Sequence, residues 1–260
     1  VSEVAPDAAQ AAGPAGSDVL VVVPTYNEAD TITNLVAGVA GTLAGASVLV
    51  VDDGSPDRTA DRVVELATSY PRTLLMRRPA KAGLGSAYRD GLGWGLGHGF
   101  GRLVQMDADG SHRAADLPRL LDALEDADVA IGSRYTAGGR VSGWSRRREV
   151  LSRVANSYAR TVLGLSPHDV TAGFRAYRAG ALRALGVEQL GSRGYCCQIE
   201  LTRRAAAAGL RIREVPIEFL ERTDGVSKMS RDVVMEAVAR TTLWGVQDRV
   251  LHHRLRVAPS

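Results

Sequence analysis

The sequence predicts an α/β protein, a mostly parallel sheet wound with helices on both faces. Three observations predict it. Short β-branched apolar runs alternate with stretches of helical spacing over residues 18–133. The runs are apolar on both faces rather than alternating, as strands covered from both sides are. Acidic, glycine-containing turns follow them, at the strand ends where α/β sheets carry their sites.

The first run, 19–23, ends at Pro24 and leads into the loop Thr25-Tyr26-Asn27-Glu28. Residues 28–43 then place Ile32, Leu35, Val36 and Val39 on one helical face. A second run, 47–51, turns at Asp52-Asp53-Gly54-Ser55-Pro56 into a helix over 59–69 with Val63, Val64 and Ala67 on one side. Leu74 and Leu75 mark a third strand, 83–96 a glycine-interrupted helix, and 103–106 a fourth strand. A helix over 117–124 and a fifth strand over 129–132 complete the alternation. Beyond Ser133 the pattern fails. Residues 136–143 are glycine-rich and expected to be mobile, and a basic helix follows over about 146–163. Its apolar stripe is Val150, Leu151, Val154, Tyr158 and Val162, with Arg146, Arg147, Arg148, Arg153 and Arg160 mostly off it. A further strand is expected over 212–217 and a long apolar-rich helix over about 230–250.

The flanks read differently. Residues 1–17 are rich in Ala, Gly and Pro without periodicity, lack the layout of a signal peptide, and are expected to be a disordered tail. Residues 251–260 form a basic tail, leaving 18–250 as one domain. At 260 residues, 45% hydrophobic and 23% charged, the composition is that of a globular protein with a substantial core. No segment approaches the roughly 20 apolar residues that cross a bilayer. Net charge is only +3, but arginines crowd 134–160 and no acid follows Asp248, so an anionic partner is expected at the C-terminal half. That partner is not expected to be a nucleic acid. Cys196 and Cys197 are adjacent, which excludes a disulfide framework and suits a reducing cytosol, and both are expected to be structural.

Chemistry concentrates at 103–112, LVQMDADGSH. In an extended segment Asp107 and Asp109 point the same way and Ala108 the other. Two converging carboxylates repel unless a cation lies between them, and a hard divalent ion with oxygen ligands is the usual remedy. The pair therefore reads as a metal clamp for a substrate phosphate. Glu28 and Asp52 with Asp53 fall at strand ends on the same expected edge. There is no Gly-x-Gly-x-x-Gly after the first strand and no Gly-x-x-x-x-Gly-Lys-Ser/Thr, which disfavours a nicotinamide or flavin enzyme and a P-loop hydrolase. What remains is a nucleotide held through base, ribose and a metal-bridged diphosphate.

The motifs PTYNE (24–28), VDDGSPDRT (51–59), KAGLGSAYRDGL (81–92), MDADGSH (106–112), GSRY (132–135), TAGFRAYR (171–178) and FLERTDGVSKMS (219–230) occur in that order. Together they resemble the inverting GT-A glycosyltransferases of family 2, specifically the dolichol-phosphate (polyprenol-phosphate) mannose synthases that lack C-terminal membrane spans. The likeness covers about nine-tenths of the chain, and the late segments narrow it from the broad class to polyprenyl-phosphate sugar synthases.

The resemblance implies a GT-A domain over 18–250, with interfacial helices near 146–163 and 230–250. It implies nucleoside contacts at Pro24, Tyr26 and Glu28, with Val51, Asp52 and Asp53 beside the base. Asp107 and Asp109 resemble ligands of Mg²⁺ or Mn²⁺ and the diphosphate, with Ala108 lining the nucleotide. Ser111 stands where many relatives have Gln and is assigned to the metal's surroundings, and Gly110 departs from a common Leu. Arg134, Arg148, Arg222 and Lys228 match the family's cationic positions and, with Asp109, are the expected catalytic set. Arg175 is expected to be structural, and His112 and His168 are given no ligand role.

The implied reaction moves mannose from GDP-mannose to a polyprenyl phosphate with inversion. An ionised phosphate acceptor needs no strong general base, so positioning and leaving-group stabilisation dominate. The same chemistry with UDP-glucose, or a noncatalytic sugar-nucleotide-binding module, are the alternatives. A lipid acceptor implies a peripheral place at the cytoplasmic face of a membrane, reached by the late helices or through a membrane-protein partner.

Overall fold

Strand β1 (Val19–Thr25) is fully apolar up to Pro24 and lies near the middle of a seven-stranded sheet. The computed structural model describes residues 18–192, 194, 196–221 and 231–257, with side chains of the last helix described over 235–249. The elements up to residue 133 follow the sequence reading within a few residues. Helix α1 (Ala29–Thr42), β2 (Ser47–Asp52), α2 (Thr59–Ser69), β3 (Thr73–Arg77), α3 (Leu84–Gly97), β4 (Arg102–Gln105), α4 (Leu117–Asp122) and β5 (Val129–Ser133) come in that order. Both flanks of α4 tighten into 3-10 turns, Ala114–Asp116 and Ala123–Glu125. The chain continues through β6 (Arg140–Ser142), α5 (Arg146–Leu163), β7 (Arg175–Arg178), α6 (Ala179–Leu185), α7 (Cys196–Ala207), β8 (Ile212–Pro216), β9 (Glu218–Leu220) and α8 (Arg231–Val257).

The main sheet runs β3-β2-β1-β4-β7-β5-β8, parallel except for β7, which is antiparallel to both of its neighbours. Alternate residues of β1 face two cores. Val19, Val21 and Val23 meet α1, α2 and α4 through Ile32, Val36, Val63 and Leu120. Leu20 and Val22 meet α3, α6 and α7 through Tyr88, Leu92, Leu182 and Leu201. Two of the glycines of α3 have a steric cause in β1: a Cβ at Gly91 would sit 2.5 Å from a Val22 methyl, and one at Gly95 2.5 Å from Leu20. The helix crosses β1 too closely for side chains there.

Three findings correct or extend the sequence reading. The segment 136–143 is not a mobile loop: Arg140–Ser142 pairs in parallel with Glu218–Leu220 as a second, two-stranded sheet. Glu218 pins it, accepting from Arg140, Ser142 and Arg113. Second, β7 sits inside the sheet although arginines bound it. Arg175 is fully buried and spends its guanidinium on the carbonyls of Ala172 and Val170 and on Thr202, which bears out a structural role. Third, the apolar stripe of α5 does not cover the sheet, since Val150, Leu151 and Val154 are each about 60% exposed. Helix α5 lies beside α8 instead, through the Tyr158–Thr242 hydroxyl contact of 2.7 Å and close packing of Gly245 on Val162. Met235, Leu243 and Val246 of α8 are also more than half exposed, which extends the apolar surface. No helix among the described residues is long and apolar enough to cross a membrane.

Candidate active site

The C-terminal ends of β1, β2 and β4 bring the acidic turns to one edge. The first two turns are laced together. Asn27, at a left-handed φ of 59°, donates its N–H to Ser55 Oγ, Glu28 N–H to Thr59 Oγ1, and Ala29 N–H to Asp57 Oδ2. Asp57 thus caps α1 from across the edge. Burial pushes its carboxyl up, but hydrogen bonds from Thr59 and Ala29 outweigh this and hold it below the usual range.

Asp52 and Asp53 face different partners. Asp52 is buried and accepts from Thr25 Oγ1, Ser55 N–H and Ser55 Oγ, so its carboxylate holds the turn. Asp53 accepts from Arg78 at 2.6 Å and from the N–H groups of Ala82 and Gly83. It fixes the segment from which Lys81 reaches over the Tyr26 ring, 3.9 Å from its centroid. Pro24 and Val51 lie paired at the end of β1 and β2.

Strand β4 stops at Gln105, so Asp107 and Asp109 sit on an irregular turn rather than on alternating strand positions. Gly110, at φ 75°, makes the bend. Asp109 is buried, and its Oδ1 accepts from Ser111 N–H at 3.0 Å and Ser111 Oγ at 2.5 Å. Ala108 is buried between the two acids. Asp107 Oδ1 accepts from Tyr88 Oη at 2.7 Å, and the Asp107 N–H donates to His112 Nδ1 at 3.2 Å. Burial and the neighbouring Asp107 hold the Tyr88 hydroxyl well above its usual range, so it stays a donor. The His112 ring stacks on Phe174 and meets Phe219 edge-on. Leu220 N–H donates to the Ser111 carbonyl, which ties the acidic turn to β9.

These residues fit a divalent cation. The donors are hard oxygens, and Gly173 leaves room beside Asp107 Oδ2, where a Cβ would approach to 2.9 Å. Among the described residues no group of three or more His, Cys, Asp or Glu converges, so two carboxylates would leave most of the coordination to substrate and water. Mg²⁺ at phosphate sites is held in that way.

Between this turn and the α5–α8 pair lies a cavity of about 460 Å³. Asp107, His112, Arg134 and Arg148 line it, together with Leu151, Ile199 and Val238. Arg134 is buried in a bidentate pair with Asp169, at 2.7 and 2.8 Å, and also donates to Thr171. Burial disfavours both charges, yet their mutual attraction raises Arg134 and lowers Asp169. Arg148 stacks 4.0 Å from the Trp144 ring centroid and pairs with Glu221 at 3.1 Å. Arg222 and Lys228 lie outside the described residues. Tyr88, Asp169, Gly173, Trp144 and Gln198 were not singled out from sequence. The first three fall in or beside quoted motifs, and only their three-dimensional partners give them a place.

A family model for glycosyl transferase family 2 matches residues 20–186. A polyprenol monophosphomannose synthase of Mycolicibacterium smegmatis is 49% identical over 233 residues, covering 89% of this chain and 88% of that protein. An undecaprenyl-phosphate mannosyltransferase of Micrococcus luteus is 46% identical over 231 residues, covering 89% of this chain and 95% of that protein. The fold is shared with glucosyl-3-phosphoglycerate synthase from Mycobacterium tuberculosis, solved with Mn²⁺, UDP-glucose and phosphoglyceric acid. That likeness has TM-score 0.65 at 20% identity, over 87% of this chain and 79% of that one.

Proposed function

Because the chain belongs to glycosyl transferase family 2, we propose that it moves mannose from GDP-mannose to a polyprenyl phosphate, giving polyprenyl-phosphate β-mannose and GDP. The names of its two close relatives support the acceptor class and the sugar. The observation that carries the reading is the cavity, which joins the acidic turn and two arginines to an aliphatic lining on α5 and α8. A phosphate headed by a long hydrocarbon needs that combination.

In the reaction an oxygen of the acceptor phosphate attacks the anomeric carbon, the bond from that carbon to the diphosphate oxygen breaks, and GDP leaves with the electron pair. Attack opposite to an α-linked leaving group inverts the centre. No side chain need take a proton, since a phosphate monoester is already ionised. Asp107 and Asp109 would hold Mg²⁺ or Mn²⁺, which supplies charge neutralisation to the departing diphosphate. Tyr88 and Ser111 fix the orientation of these two carboxylates. Arg134 and Arg148 line the part of the cavity where an acceptor phosphate would enter, Arg134 held rigid by Asp169. Arg222 and Lys228 complete the proposed set on the diphosphate. Tyr26, Glu28 and Asp53 would receive the nucleoside at the neighbouring edge.

The exposed apolar residues of α5 and α8 support peripheral attachment to the cytoplasmic face of a membrane. The deciding assay mixes the protein with labelled GDP-mannose or UDP-glucose, a short polyprenyl phosphate and Mg²⁺ or Mn²⁺. Organic-soluble label from GDP-mannose is expected. Label from UDP-glucose alone would overturn the donor, and none from either would overturn the transferase reading.

A further inference from the structure

Gln198 is 1% exposed on the first turn of α7, and both its amide Nε2 and Oε1 are buried without a hydrogen-bond partner among the described residues. Orphaning a buried donor and acceptor together is costly, and native structures rarely tolerate it without a ligand or an ordered water to complete the bonds. The residue lines the cavity together with Asp107 and Gly173, the pair at the cation-fitting turn. Its helix is packed there tightly, since a Cβ on Gly85 of α3 would stand 3.1 Å from the Cys197 Cβ. The backbone that carries Gln198 is therefore held in place.

The cavity contains a second orphan of different character. Trp144 Nε1 is buried and unpartnered among the described residues, and its ring lies against Arg148 and Arg134. An indole N–H only donates, so with two arginines it suits an anion. The Gln198 amide both donates and accepts. A phosphate oxygen would satisfy its Nε2 and repel its Oε1, whereas a sugar hydroxyl both gives and takes a hydrogen bond. Resting on the transferase reading, we propose that Gln198 recognises hydroxyl groups of the sugar being transferred, and so divides the cavity into a sugar side and a phosphate side. A site built to bond hydroxyls rejects ligands that lack them, because its own polar atoms then stay unpaired.

The test uses the full chain with Gln198→Met, which conserves volume, and Gln198→Asn, which keeps the amide one methylene short. Removing an orphaned amide should leave the melting temperature at or above that of the wild type. Affinity for GDP should stay within about twofold, while kcat/KM for GDP-mannose falls on the order of tenfold, with the KM for polyprenyl phosphate unchanged. GDP-deoxymannose analogues give the readout that a structural role would not move. One of them should lose rate with the wild type and lose no more with Gln198→Met. Should the Met variant fail to fold, the Asn variant carries the same comparison with a smaller loss. Additive losses for every analogue, or a raised lipid-phosphate KM with donor kinetics intact, would overturn the assignment while leaving the transferase reading standing. A wild type that transfers nothing from GDP-mannose overturns both.

Discussion

Asp109 gives one carboxylate oxygen to Ser111, through a backbone N–H and a hydroxyl. An asparagine there keeps an acceptor for both and loses the charge. Asp109→Asn should leave the melting temperature within a few degrees and cut turnover on the order of a hundredfold, about 3 kcal/mol of lost charge stabilisation. Near-normal turnover at saturating Mn²⁺ would remove the residue from the diphosphate site. Asp169 is the opposite case, a residue whose worth lies in its partner. Burial would raise its carboxyl, yet the Coulombic pull of Arg134 and the hydrogen bonds from it hold that carboxyl below the usual carboxylate range. A depressed acid stabilises the fold above its unfolded pKa, and that contribution is lost as pH falls through the folded value. Denaturant midpoints should therefore hold at neutral pH and decline below about pH 4. Asp169→Asn leaves a buried guanidinium unpaired, so it should cost about 3–5 kcal/mol at pH 7 and flatten that acid dependence. Such a pair was invisible in sequence, because 35 residues separate its members. Asp107 and Asp109, by contrast, were legible as a two-residue motif.

At the scale of elements, α3 and α5 show how far periodicity reaches. The glycines of α3 look like weak points in a helix, costing about 1 kcal/mol each against alanine. Gly91 and Gly95 are the positions where the helix meets β1, so Gly95→Val should destabilise by roughly 1–3 kcal/mol despite its better burial of apolar surface. Urea unfolding would measure it, and a neutral result would mean the helix can shift away from Leu20. Helix α5 reads from sequence as a basic helix with an apolar stripe. The fold leaves Val150, Leu151 and Val154 of that stripe to solvent and turns Tyr158 and Val162 toward α8, with Asn156 and Ala159 as the helix's buried residues. Asn156 bonds the backbone of Val170 and Thr171, so a polar residue anchors the helix to the body. The thiols of α7 show a plainer match. Burial pushes Cys196 up to about 11 and Cys197 up to about 12, in keeping with their reading as structural residues. Alkylating reagents at pH 7 should leave both unmodified in the folded protein.

For the whole molecule, the exposed apolar residues of α5 and α8 and part of the cavity's aliphatic lining lie on the same helix pair. An acceptor whose hydrocarbon stays in a bilayer could reach Asp107 from there without leaving the lipid. Flotation with anionic vesicles should carry the protein upward, and Val150→Ser with Val154→Ser, two exposed residues that do not line the cavity, should abolish that while preserving transfer to a short, detergent-dispersed acceptor. Binding lost in high salt would assign the larger share to the arginines of α5, and absence of binding at any salt would leave a membrane-protein partner as the route.

The sequence alone determined the parallel half of the sheet and the acidic edge, because continuous apolar runs, helical spacing and strand-end acids are local patterns with local causes. It did not determine β7, β9, the exposure of α5 or the surroundings of Gln198. Each of those depends on partners far along the chain: carbonyls that accept a buried arginine, a second short strand, a neighbouring helix, a cavity wall. Tertiary structure decided them because burial is a property of the assembled fold, and the same arginine, glutamine or leucine stripe reads identically in sequence whether it ends inside or out.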